Sequence, residues 1–325
     1  MSDATKLQFV TYVEKLTASF ARKHAEQQYT KVFDIHAYAR VRESMRSQRF
    51  VTQMWDENLE YLGQMIGEDS TFILSDERLQ FAFNLSAGGA FALREIPYLR
   101  GQVNEEALTE LLEEPPFPGQ VISNDEYQCS ETRIHHLTHL MFAQEVMEVP
   151  ISTLQTTVEF GGGYGSMASL MRKINPNGTH IIVDLPEMNL VQTFFLNNAF
   201  ESNGVNLVSE TNPEIATGKI NLVAVDNDKA LCSLKGKVDL FLATYSLSEA
   251  NEFTMDLFEK QYRFLEADYV FYAYRKYANI NPRQPQSREL MLTADYSTVF
   301  HGASFWTYAN ENYYQVARRK IDGTG

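Results

Sequence analysis

From residue 150 onward the chain alternates short β-rich runs with helical stretches, and the first of those runs leads straight into a cluster of glycines. Residues 156–160 form the run and Gly161-Gly162-Gly163-Tyr164-Gly165 the cluster; Met167, Leu170, Met171 and Ile174 then recur on one helical face. Asn175-Pro176-Asn177-Gly178 stops that helix. A second strand is expected at residues 180–183, and Pro186 suits the first turn of a helix running to Gly204. Residues 205–208, 220–225, 238–243 and 269–274 read as further strands, with a helix over residues 251–266 before the last of them. Residues 238–243 form the clearest of these, a continuous strand apolar on both faces, as in the middle of a parallel sheet. Residues 297–319 read as two strands around Ala309-Asn310-Glu311-Asn312. This alternation predicts an α/β fold, a Rossmann-like, doubly wound sheet.

The first half is different. Residues 5–30 and 36–66 are rich in helix formers, with Phe9, Val13, Leu16 and Phe20 at helical spacing. Residues 79–93 form an apolar, alanine-rich block containing Gly88-Gly89, and the prolines of residues 113–119 force a break. A helix is expected over residues 130–149, ending at Pro150. The chain therefore divides into a mainly helical region, 1–150, and the α/β domain, 151–325.

With 44% apolar residues in 325, there is enough to build a large core. The net charge of −14 repels phosphate backbones, so no nucleic-acid partner is expected. No apolar run approaches the roughly 20 residues that span a bilayer, and the N-terminus lacks an apolar signal core, so the expected location is cytoplasmic. Cys129 and Cys232 have neither disulfide-framework nor zinc-ligand spacing.

A glycine loop between strand and helix lets a ligand approach the backbone and offers it the free N–H groups of the helix start. Two cofactors compete for this one. Gly163-Tyr164-Gly165-Ser166-Met167-Ala168 fits the G-x-G-x-x-A form of the dinucleotide fingerprint. Glu159 with Gly161, Gly163 and Gly165 fits E-x-G-x-G-x-G, the first motif of Rossmann-like methyltransferases. Glu159 favours the second: a carboxylate there repels a pyrophosphate but suits the ammonium end of a methionine moiety. Asp184, closing the second strand, can accept from ribose hydroxyls in either case, and Asp226 is a further candidate for adenine or ribose groups.

Three segments in order, VEFGGGYGSMASL, HIIVDLPEMNLVQTFFL and VDLFLATYSLSEAN, with Ser130-Glu131-Thr132-Arg133-Ile134-His135-His136 before them, resemble the bacterial sugar O-methyltransferases over residues 127–275. The resemblance implies S-adenosylmethionine as donor and a sugar hydroxyl as acceptor, in a glycan or a nucleotide-linked precursor of surface polysaccharide. Methylation of a non-sugar small molecule, NAD-dependent oxidoreduction and a catalytically inert binding scaffold are the alternatives.

A sugar hydroxyl is a weak nucleophile, so a base that takes its proton helps. Glu249 follows the strand 238–243, at the sheet edge where ligands gather, and is one candidate; capping the next helix is its bland role. His135, His136 and His139 make the densest histidine cluster, with His135 and His139 four apart on one helical face. Glu249 beside His139 is the expected acid–base pair, raising the histidine's pKa, with His136 next in line and His301 a weaker alternative. No third ligand accompanies the histidines, so no metal is expected. Arg133, His135 and Tyr245 are the candidate substrate-binding residues, and Trp55 and Trp306 could stack on a sugar ring; packing within the protein is the competing role for each.

Overall fold

The computed structural model describes residues 33–44, 47–69, 76, 78–79, 92–114, 124, 126–200, 204–275, 277–278, 286–287, 289–290, 292–304 and 312–320. The expected helix over residues 5–30 with its Phe9, Val13, Leu16 and Phe20, the Gly88-Gly89 pair, the prolines of residues 115–118, Trp306 and the turn at residues 309–311 lie outside them.

Its strands are β1 (Thr156–Phe160), β2 (Thr179–Asp184), β3 (Val205–Leu207), β4 (Ile220–Ala224), β5 (Leu240–Thr244), β6 (Tyr269–Arg275), β7 (Tyr277–Ala278), β8 (Gln286–Ser287), β9 (Tyr296–Ala303) and β10 (Asn312–Arg319). Eight form one sheet in the order β3-β4-β2-β1-β5-β6-β10-β9, and β7 pairs only with β8. All neighbours from β3 to β6 run parallel, while β10 is antiparallel to both β6 and β9. The predicted doubly wound α/β fold is present, extended by an antiparallel pair at one edge. Parallel strands buried on both faces need continuous apolar runs, and β5 supplies one: Leu240, Phe241, Leu242 and Ala243 are all buried.

The helices are α1 (Ile35–Glu43), α2 (Gln53–Asp69), α3 (Ala92–Gln102), α4 (Glu105–Leu112), α5 (Glu131–Met147), α6 (Ser166–Ile174), α7 (Pro186–Ala199), α8 (Asp228–Leu234), α9 (Ser246–Glu249) and α10 (Glu252–Asp256). The Ser130 hydroxyl caps α5 by accepting from Arg133 N, and the helix ends where Glu148 turns left-handed at φ 56°. The predicted helix over residues 251–266 does not persist. After α10 the chain passes through a π turn and a 3-10 turn, and residues 263–266 all adopt positive φ. A left-handed turn costs about 1–2 kcal/mol per residue. Here it sets Phe264 and Leu265 fully into the core, and their burial offsets the strain.

The change of pattern at residue 150 is not a boundary between cores. Leu137, Leu140 and Met141 of α5 pack in one cluster with Met167 and Leu170 of α6 and with Phe271 and Val316 of the sheet. Phe33 and Tyr38 pack with Phe194 and Phe195 of α7. A polar latch reinforces this second contact: Arg42 Nη1 and Ser47 Oγ donate to the buried Glu187 Oε1, at 3.3 and 2.6 Å. No helix among the described residues is long and apolar enough to cross a membrane.

Candidate active site

β1 lies between β2 and β5, so the chain leaves it toward one side of the sheet and returns after β4 to the other. Such a reversal opens a crevice at the carboxyl ends of the strands. A cavity of about 340 Å³ occupies that place, a size suited to a small-molecule ligand.

One end of the cavity is built by the sheet. Glu159 lines it at the end of β1, with Oε2 2.9 Å from His180 Nε2; the other ring nitrogen of His180 lies 2.7 Å from Thr157 Oγ1. The register explains the meeting: Thr157 pairs with His180 and Glu159 with Ile182, which puts Glu159 and His180 on the same face of adjacent strands. Gly161 and Gly163 also line the cavity, at φ +73° and +55°. A Cβ at Gly161 would come within 2.2 Å of Ser246 Cβ, so only glycine lets β1 turn there against the residues that follow β5. Asp184 ends β2 against the same loop. Its Oδ2 accepts from Gly162 N at 3.0 Å and from Gln192 Nε2 at 2.7 Å, and its Oδ1 accepts from Leu185 N at 2.8 Å. Burial pushes the Asp184 carboxyl up to about 7 despite these donors, with the charge of Glu159 acting in the same direction.

Two residues expected here do not line the cavity. Gly165 opens α6 and abuts Leu196 of α7, so its missing side chain serves helix packing. Asp226 stands one residue beyond Val225, which does reach the cavity wall.

The rest of the lining comes from α5 and residues 50–58. His135, His136 and His139 all line the cavity, as does Tyr245, which follows β5 at an unusual φ of +66°. The expected charge pairing is corrected. Burial, followed by neighbouring His135, drives the His139 pKa well below its ordinary value, and His136 is pushed down to about 3 for the same leading reason. Both nitrogens of His139 and Nδ1 of His136 are buried with no hydrogen-bond partner among the described residues. A carboxylate that meets the cluster is Glu95 of α3, at His135 Nδ1; Glu131, one turn before His135 on α5, is also buried and lines the cavity. Glu249 does line the cavity, but it accepts from Trp55 Nε1 at 3.3 Å, and burial raises its pKa.

Arg133 is also corrected. It is fully buried and outside the cavity lining, because the helix turns it toward α4 and α6. Its guanidinium donates to Leu111 O at 2.8 and 3.1 Å, to Ser169 Oγ at 2.7 Å and to Ser166 O at 3.3 Å. His301 sits on β9, 2.8 Å from the Tyr274 hydroxyl and away from the cavity.

The structure adds Glu95, Arg275, Phe50 and Met54 to the neighbourhood and gives Trp55 a polar partner. Arg275 ends β6 and lines the cavity, and its charge opposes the rise in the Glu249 pKa. Residues 49–51 are held there by Asn251, whose Nδ2 donates to Arg49 O and Val51 O at 2.9 and 3.1 Å, and by Thr254, whose Oγ1 donates to Phe50 O at 3.2 Å.

No family model matches the chain, and no curated protein matches it. Solved structures do resemble it distantly. A protein from Pyrococcus horikoshii OT3 is 13% identical with a TM-score of 0.42, covering 62% of this chain and 94% of that one. Magnesium protoporphyrin IX methyltransferase from Synechocystis PCC 6803, crystallised with S-adenosylmethionine, is 14% identical with a TM-score of 0.36, covering 70% and 97%. The 16S rRNA methylase ArmA is 9% identical with a TM-score of 0.34, covering 71% and 98%.

Proposed function

We propose that the chain is an S-adenosylmethionine-dependent O-methyltransferase whose acceptor is a sugar hydroxyl. One observation carries this reading. A single cavity is lined both by the glycine loop, Glu159 and Asp184 and by a histidine-bearing face of α5. Glu159 matches the ammonium of the donor's methionine part, Asp184 its ribose hydroxyls, and Gly161 and Gly163 let its chain lie against the backbone. When bound, the donor supplies an activated methyl group. The protein's part is then to hold an acceptor hydroxyl in line with it, exclude water and take a proton.

The acceptor wall fits a polyhydroxylated molecule. The unpartnered nitrogens of His136 and His139 need hydrogen-bond partners, and a hydroxyl can both donate and accept; Trp55 lies beside Glu249. Glu249, His136, His139 and Tyr245 are assigned to this wall. Calorimetry on the full chain tests the donor: S-adenosylhomocysteine should bind and NAD should bind poorly, whereas tight NAD binding overturns the reading. Methyl incorporation from labelled donor into a panel of glycans and nucleotide-linked sugars tests the acceptor. Incorporation only into non-sugar molecules would keep the enzyme class and discard the sugar.

Asp184 gives the donor site a pH dependence. An acid with a raised folded-state pKa favours the folded state fully below the ordinary carboxylate range, and that contribution is lost as pH rises through about 7. Ribose hydroxyls donate better to the ionised form, so ligand affinity runs the other way. The Kd for S-adenosylhomocysteine should fall by about three- to tenfold from pH 6 to pH 8, and Asp184→Asn should flatten the trend. A pH-independent Kd in the parent would mean that the ribose does not rest on Asp184.

A further inference from the structure

The histidine with a defined orientation is not the one that the sequence favours. His139 has no hydrogen-bond partner on either nitrogen, and His136 has none on Nδ1. Neither ring is held in one tautomer by these atoms, and burial keeps both neutral. His135 differs in three ways. Its Nδ1 meets Glu95 Oε1, its Nε2 lies 3.4 Å from the Tyr245 hydroxyl, and the ring lines the cavity.

The chemistry of these contacts assigns the proton. Glu95 has a fully buried side chain, and a carboxylate can only accept, so His135 Nδ1 carries the hydrogen. In the neutral ring Nε2 is then the acceptor. The Tyr245 phenol is kept protonated by burial and can serve Nε2 only as a donor. A hydroxyl facing Nε2 is thus already part of the site. The Tyr245 backbone, at φ +66°, is in a conformation that costs a non-glycine residue energy, and such strain is commonly stored at functional positions.

We propose that His135 Nε2 takes the proton of the acceptor hydroxyl, with Glu95 as the residue that positions it; the one lone pair of Nε2 serves a single donor, so the acceptor hydroxyl takes the place of the Tyr245 hydroxyl, which turns aside. This rests on the methyltransferase reading and names the atom that reading leaves open. The acceptor oxygen forms its bond to the methyl carbon as the carbon–sulfur bond breaks, and that electron pair goes to sulfur. The hydroxyl proton moves to His135 Nε2, and the resulting imidazolium is held by Glu95 through Nδ1–H until it releases the proton to solvent. The neighbouring His136 and His139 stay neutral and contribute polar contacts without competing for the proton.

Long-range proton–nitrogen spectroscopy on the full chain, labelled at histidine and bound to S-adenosylhomocysteine, reads the tautomer directly; loss of the signals in His135→Gln assigns them. The parent should show one species, protonated at Nδ1 and bare at Nε2. Glu95→Gln is close in shape and can donate as well as accept, so it should give a mixture of tautomers. On an acceptor from the sugar panel it should lower methyl transfer by ~10²-fold with donor affinity unchanged, and Glu95→Asp should recover part of the rate. A proton on Nε2 in the parent overturns the proposal, as does a Glu95→Gln variant that transfers methyl within threefold of the parent. Should Glu95→Gln fail to fold, the parent tautomer and Glu95→Asp decide. Failure of the parent to bind S-adenosylhomocysteine counts against the cofactor reading, and the tautomer, then read on the free chain, still decides the Glu95–His135 pairing.

Discussion

Gly163→Val is expected to weaken S-adenosylhomocysteine binding by ~10²-fold or more, about 2.7 kcal/mol, while the fold survives. Gly163 lines the cavity at φ +55°, its carbonyl accepts from Gln192 Nε2 at 3.0 Å, and it follows Gly162, whose N–H is tied to Asp184. Valine adds a branched side chain at a backbone conformation it resists, on the surface that a ligand must approach. The loop's ties to α7 and β2 limit how far the backbone can retreat. Calorimetry measures the affinity, and a thermal melt within a few degrees of the parent shows that the fold is kept. Unaltered affinity in a folded variant would place the donor elsewhere.

Arg133→Met is expected to cost about 3–5 kcal/mol of stability and leave donor affinity within threefold of the parent. The guanidinium is fully buried and bridges α4 to the start of α6 through Leu111 O, Ser166 O and Ser169 Oγ. Methionine fills much of the volume but removes the donors to the part-buried Leu111 O and to Ser169 Oγ and leaves Ser166 O only Ser169 Oγ, and losing charge-assisted bonds in a buried site is costly. For a chain of this size the melting temperature should fall by roughly 10 °C. Calorimetric melting checks the first part and ligand titration the second. A melt within two degrees of the parent, together with lost methyl transfer, would return Arg133 to the substrate-binding role that its neighbours in sequence suggest.

The two residues show where the sequence is informative. Gly163, Glu159 and Asp184 belong to local patterns: a strand, a turn that needs glycine, and an acid where the next strand ends. Physics within a few residues fixes such features, so the glycine-loop part of the cavity was legible, as were β1, β2, β4, β5 and β6. Arg133 lies among histidines on a helix, and the sequence does not tell which way that helix faces. Only the docking of α4, which brings the Leu111 carbonyl to the guanidinium, turns a plausible ligand clamp into a structural bridge. Glu95 carries no local signal at all. It stands 40 residues from His135, in a stretch where an acid reads as an ordinary first-turn residue of a helix. Trp55 and Glu249, 194 residues apart, are likewise joined only by the tertiary fold. Residues 263–266 show the same limit for secondary structure: the burial of Phe264 and Leu265 overrides a sequence that reads as helix.

The cavity's two ends come from different parts of the chain, and this shapes how such a molecule can diversify. Under the proposed reading, the donor end is woven from the strand termini that also carry the sheet and from the loop between them, so most changes there bear on the cofactor first. The rest of the lining comes from residues 50–58, which Asn251 and Thr254 hold through the backbone of residues 49–51, and from one face of α5, which also packs into a core with α6 and the sheet. Exchanging those lining residues leaves the sheet's hydrogen bonds intact. Acceptor preference can therefore drift, or be re-engineered, by rewriting one wall of the chamber while the opposite wall keeps its cofactor.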